Sequence, residues 1–167
     1  MARRRSSPPL KYADLDDFLW RDYDDRAEWT SWVLQRAATE VRNAAREYDL
    51  ARELQGALRA LEDVNSGAKQ NASAAIRVDA LIARCGVHPA TRADGSTRLV
   101  ASRGAVSDLL VAALTAMTDG SWKRFKRCRD RTCCSSFYDT SKSATRRWCS
   151  MDRCGTRAKM RRFRGGA

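Results

Sequence analysis

Histidine is nearly absent from this chain: of 167 residues, only His88 carries an imidazole. Nucleases built on small zinc folds use histidine for metal and base work. His88 lies well outside the clustered cysteines, so that class is not expected. Long apolar runs are missing as well. The longest, LLVAALTAM at 109–117, falls far short of the ~18 residues a membrane span needs and reads as a buried helix. The basic start MARRRSSPPLKY is not followed by the apolar stretch of a secretory leader, so a cytoplasmic protein with no membrane partner is expected. No internal repeat is visible, the first 120 residues carry no catalytic signature, and no enzymatic activity is expected.

Acidic residues are scarce at one end only. Residues 121–167 hold 15 Lys and Arg against Asp130, Asp139 and Asp152, whereas residues 1–120 hold 17 Lys and Arg against 17 Asp and Glu. The whole net charge of +12 therefore sits on the last 47 residues. Such asymmetry points to a polyanionic partner, with nucleic acid first and an anionic membrane surface second. An apolar fraction of 43% is enough for a hydrophobic core, so the chain folds.

Residues 1–12 read as a basic disordered arm ending near Pro8-Pro9. From Asp14 to about Asn65, apolar residues from Trp29 through Ala37 and Val41 to Val64 recur at three- and four-residue steps. That spacing predicts helix, with a break near Tyr48-Asp49 and Gly67 as the terminating residue. A second amphipathic stretch, Ser73 to Arg84, stops at Gly86. In VHPATRADGSTRLVAS, Asp94-Gly95 marks a hairpin, because a tight turn needs positive φ there. A helix from Val106 to Met117 follows and closes at Asp119-Gly120. The aromatics of this part are expected in its core. The expected class is α+β: a mostly helical body at 13–120 with one β-hairpin, a small finger at 121–164, and a tail at 165–167.

Four of the six cysteines form two pairs of equal spacing, CRDRTC (Cys128, Cys133) and CSMDRC (Cys149, Cys154). In a reducing compartment clustered thiols favour metal over disulfides. Two tight turns bearing paired cysteines supply the tetrahedral thiolates that zinc prefers, so one zinc ion per chain is expected. A segment with so few large apolar residues needs such a metal to fold. SSFYD and TRRW read as two short strands around the turn TSKSA. A helix starts at Ser150, whose hydroxyl caps the first turn. Knuckle, hairpin and helix make a treble-clef-like module. Cys134, beside Cys133, is the alternative ligand, and the equal spacing favours Cys133. Cys85 is isolated and reads as a small buried residue.

The stretch KRCRDRTCCSSFYDTSKSATRRWCSMDRCGTRAKMRRFR resembles the CGNR zinc finger, the C-terminal module of bacterial ABATE-domain proteins. Both cysteine pairs, FYDTS, RRWCS and the RAK-RR run carry the resemblance over about residues 121–164. Upstream, ARELQGALRAL, the hairpin and the helix before the finger are similar to the ABATE domain. The resemblance implies a transcription regulator whose finger binds double-stranded DNA. Two positions depart from the family pattern. Thr156 replaces the asparagine of the name-giving motif, and Cys134 stands where a glycine is usual.

On a regular helix from Ser150, Arg153, Arg157 and Arg164 share one stripe, with Arg161 at its edge. Together with Arg146, Arg147, Lys159 and Arg162 they form the expected DNA-binding set. Arginine suits phosphates and guanine edges because its planar donors pair bidentately, and Arg157 is the expected guanine reader. The helical body is expected to dimerise or to sense a signal whose small-molecule ligand the sequence does not identify. The alternative is a zinc-stabilised module for RNA or for a protein partner.

Overall fold

The computed structural model describes residues 12–36, 41–102 and 104–165. The expected basic arm, apart from Tyr12, lies outside these residues, as do Ala37 and the tail beyond Gly165.

The described part of the first half is helical, as its periodicity predicts, in α1 (Tyr12–Trp20), α2 (Arg26–Arg36), α3 (Val41–Arg46) and α4 (Tyr48–Asn65). The break at residue 47 falls where the sequence places it. The break after Trp20 has a local cause in Asp25-Arg26-Ala27-Glu28. Asp25 Oδ1 accepts from the Glu28 amide at 2.9 Å, and the Glu28 carboxylate accepts from the Asp24 amide at 3.1 Å. This exchange starts a new helix in the manner of a capping box. The turn lets α2 fold back so that Phe18, Tyr23, Trp29 and Trp32 form one aromatic cluster. In it Trp29 and Trp32 stack at 5.6 Å. These rings are core, and their indole N–H groups are satisfied by Ala44 O and Asp17 Oδ2, both at 2.7 Å.

Helix α4 ends as expected. Gly67 has φ +99°, and the Ala68 amide returns to Asp63 O at 2.9 Å. Asn71 caps α5 (Ala72–Arg84) by accepting from the Ala74 amide. Strands β1 (His88–Thr91) and β2 (Thr97–Val100) pair antiparallel, with Thr91 opposite Thr97 and Gly95 at φ +80° in the connection. Helix α6 (Ala105–Asp119) is capped from outside its own segment: the Glu47 carboxylate accepts from the Ala105 and Val106 amides. Gly104, at φ +155°, makes room for it, because a Cβ there would collide with that carboxylate.

After α6 and a short 3₁₀ turn at Ser121–Arg124 come β3 (Phe125–Arg127), β4 (Ser136–Tyr138), a π-turn at Met151–Gly155 and α7 (Thr156–Arg164). The fold is thus α+β, mostly helical, with two small antiparallel hairpins and a C-terminal cysteine cluster. No helix among the described residues is long and apolar enough to cross a membrane.

The expected boundary at 120–121 is crossed by a continuous core. Trp122 and Phe125 belong to the same buried cluster as Leu15, Leu54, Leu58 and Leu109. Phe125 lies 5.3 Å from Trp122 and 4.9 Å from Tyr138, ring centre to ring centre. Asn65 Nδ2 donates to Trp122 O and Phe125 O at 2.8 and 2.9 Å, and the Ser136 hydroxyl donates to the buried Glu62. Helix α4 therefore forms the floor on which the finger's first strand is laid.

Candidate metal centre and its basic surround

The first pair of cysteines sits on a tight turn that follows β3. The Cys128 amide donates to Ser135 O at 2.8 Å, and the Cys133 and Cys134 amides both donate to Asp130 O. Of the second pair, Cys149 precedes the π-turn and Cys154 lies within it. Ser150 caps that turn through the Arg153 amide, as its position predicts. All four sulfurs of Cys128, Cys133, Cys149 and Cys154 lie within 4.8 Å of one another. Cys149 Sγ is 3.6 Å from Cys133 Sγ and 3.7 Å from Cys154 Sγ. A zinc–sulfur bond of about 2.3 Å in a tetrahedron sets sulfur–sulfur edges of about 3.8 Å. All six cysteines are free of disulfides. The donor set and its spacing fit one zinc ion. Cys134 points elsewhere and is exposed, so the ligand is Cys133. Cys85 is buried away from the cluster, and the His88 ring bonds Gly86 O.

Without a cation these thiols titrate apart. Burial pushes Cys149 up, reinforced by its hydrogen bonds with Cys133 and Cys154. Burial also opposes ionisation of Cys133, but the Ser135 hydroxyl and amide overcome it and lower that thiol to about 7. Four adjacent thiolates need a divalent cation to coexist, and zinc supplies that charge when bound.

A carboxylate that sequence reading passed over organises the surround. Asp130 is fully buried. Its Oδ1 accepts from the Thr132 amide and hydroxyl at 3.2 and 3.0 Å, which fixes the knuckle turn. The same carboxylate pairs with Arg157 Nε and Arg161 Nη2, each at 2.8 Å. Arg157 Nη2 also donates to Cys154 Sγ at 3.2 Å. Burial works against the Asp130 charge, yet Arg161, Thr132 and Arg157 hold the carboxyl well below the usual range. The signal was legible: Asp-x-Thr between two ligands is an Asx-turn sequence, and an acid alone in a basic run asks for a partner.

Two local expectations are corrected. The helix from Ser150 is not regular, because Gly155 N reaches back five residues to Ser150 O in the π-turn. The extra residue shifts the phase between Arg153 and Arg157, so the expected single stripe divides. Arg157 and Arg161, four apart, turn toward Asp130, while Arg153 faces solvent. The finger hairpin also pairs different segments. SSFYD does contribute β4, but its partner is β3, with Phe125 opposite Tyr138, and TRRW forms no strand. The reason is Asp139. Its buried carboxylate accepts from Lys126 Nζ, the Ser141 amide and hydroxyl, and the Arg146 amide, all within 3.0 Å. Those bonds curl residues 139–146 into a loop and consume the donors a strand would have used.

The remaining expected basic residues divide by partner. Arg146 donates to Cys149 O at 2.7 Å and covers the Phe137 ring. Arg147, Arg153, Lys159, Arg162 and Arg164 are exposed, and no side-chain partner holds them among the described residues. On the same helix Met160 and Phe163 are exposed, Phe163 at 81%. Residues 124–165 match the family model described as the CGNR zinc finger. No curated protein matches the chain.

Proposed function

We propose that the chain is a zinc-dependent protein that binds double-stranded DNA and regulates transcription. In this reading the finger contacts DNA, and the helical body, as an ABATE-type domain, dimerises or senses a signal. One observation carries it: the finger hides its acids. Asp130 and Asp139 are fully buried, the first paired with Arg157 and Arg161 and the second with Lys126, and Asp152 alone of the finger's carboxylates is exposed. The outer face is left with unpaired arginines and a lysine, the arrangement that draws a polyanion by field and by counterion release. Arg157 and Arg161 serve differently from the free cations, because both hold the knuckle to α7 through Asp130, and Arg157 also donates to the sulfur of Cys154. DNA contact then rests on Arg147, Arg153, Lys159, Arg162 and Arg164, with Arg146 beside them.

The test is fluorescence anisotropy of zinc-loaded protein with labelled duplex, across a salt series. Contact with about six phosphates gives a log–log slope near −5. Combined Arg147→Ala, Arg153→Ala, Arg162→Ala and Arg164→Ala replacement should flatten it by about three to four units. Unchanged affinity in that variant, with its zinc retained, sinks the proposal. The exposed Phe163 favours a second reading, since an aromatic among arginines stacks on unpaired bases of RNA. Single-stranded competitor displacing duplex at equal nucleotide concentration would select that reading.

A further inference from the structure

A second basic feature lies away from α7, where the finger meets the end of α4. Here a cleft of about 220 Å³ is lined by Lys126, Arg127, Arg129, Thr145, Arg146 and Arg147, with the end of α4 as its floor. The charges in it are not cancelled. Lys126 is neutralised by Asp139, but among the described residues three of the four arginines meet only neutral groups or nothing. Arg129 donates to Ser66 O, Arg146 donates to Cys149 O, and among the described residues no side-chain partner holds Arg147. Arg127 has two acids near it: Asp63, half exposed and 3.8 Å from Nε, and the buried Glu62, whose raised carboxyl holds its proton; among the described residues the buried Nε has no hydrogen-bond partner.

A carbonyl takes one or two of a guanidinium's five N–H donors and none of its charge. Bonds of that kind fix the arginines in place and leave their charge and remaining donors available. Fixed, uncompensated guanidiniums around one concavity repel one another, and an oxyanion relieves that repulsion while accepting their donors in pairs. Folding alone does not explain the grouping, since arginines at a surface are free to turn into water.

We propose that this cleft is a phosphate-binding site, filled by a backbone phosphodiester of the nucleic acid that the finger engages. The proposal rests on the nucleic-acid reading above and adds a contact that spans the finger and the helical body. Arg127 and Arg129, on β3 and the first knuckle, thereby join Arg146 and Arg147 as phosphate ligands. The bound strand runs from the face of α7 across the junction to the end of α4.

The test uses full-length zinc-loaded protein, with Arg129→Ala/Arg147→Ala as the cleft variant and Arg147→Glu as a second one, a charge reversal that breaks no internal side-chain bond. Arg153→Ala/Arg164→Ala is the α7 control. Probes are a labelled duplex in a salt series and inorganic phosphate followed by calorimetry. Zinc content and melting temperature are checked for each protein. The expected result is about a tenfold loss of duplex affinity in the cleft variant. Its salt slope should flatten by about one unit for each phosphate lost. Arg147→Glu should show the same direction. Affinity and slope unchanged in both cleft variants, while the α7 control weakens, would overturn the cleft and leave the nucleic-acid reading standing. Inorganic phosphate bound by the parent and lost in the cleft variants, without duplex binding by the parent, would keep the phosphate site and overturn nucleic acid as its source. No binding of either probe by the parent overturns both.

Discussion

Replacing Glu62 by glutamine should change how stability responds to pH, in a direction the structure sets. Glu62 is fully buried between α4 and β4, where Oε2 accepts from Ser136 and Oε1 has no hydrogen-bond partner. Burial raises its carboxyl from 4.5 to about 8, against the Ser136 hydroxyl, Arg127 and Arg59, which lower it; Asp16 nearby adds to the rise. The folded protein therefore holds a proton that the unfolded chain releases at lower pH. Stability from this group is complete below about pH 4.5 and is lost as the pH climbs through 8. At 1.36 kcal/mol per pH unit, the loss is about 2 kcal/mol by pH 6 and about 4 kcal/mol by pH 8. Urea unfolding of zinc-saturated parent and Glu62→Gln proteins at pH 5, 6, 7 and 8 measures it. The zinc and thiol contributions are common to both proteins and cancel in the difference. The parent should lose stability relative to the variant by roughly 3 kcal/mol between pH 5 and pH 8. Parallel profiles, with a constant difference within about 1 kcal/mol, would refute the reasoning and mean that Glu62 is ionised in place.

Other outcomes test other parts of the structure. Purified protein should contain one zinc per chain, and serine at Cys128, Cys133, Cys149 or Cys154 should unfold the finger, since such metals supply on the order of 10 kcal/mol; metal analysis with circular dichroism reads both. Arg157→Ala removes the donor to Cys154 and one partner of Asp130, and should weaken zinc about 10–100-fold in a chelator competition. Cys134 adopts φ +49°, so Cys134→Gly should leave zinc content unchanged and stabilise by about 1 kcal/mol, seen as a melting point roughly 2–4 °C higher. Phe125→Ala empties a fully buried site shared by finger and body and should cost about 3–5 kcal/mol in one cooperative transition; two separated transitions would contradict the shared core.

The parts legible in the sequence were those governed by local chemistry. Periodicity located the helices, Gly67 its stop, and the two equal cysteine spacings the metal cluster. The capping sequence at Asp25 was equally local but lay inside a strong helical pattern that masked it. Long-range pairings were the harder part. Nothing near Phe125 announces that it pairs with Tyr138 or fills a hole over α4, because both partners are distant in the chain. The arginines show the same limit. Spacing alone gives each a face on an ideal helix. Whether it meets solvent or Asp130 depends on a π-turn and on a carboxylate more than 25 residues away.

The absence of a linker between finger and body has a further consequence. Phe125 and Trp122 anchor the finger inside the body's own core, so no flexible tether lets it adjust its reach. If two copies associate through their helical bodies, the distance and angle between their two α7 helices are built in. Target sites would then need half-sites at one fixed separation, and inserting five base pairs between them would rotate one half-site to the opposite side of the duplex. Inserting ten would restore the facing but not the distance. A tethered finger would tolerate both, so the spacing tolerance of a target site is a ruler for the rigidity of this junction.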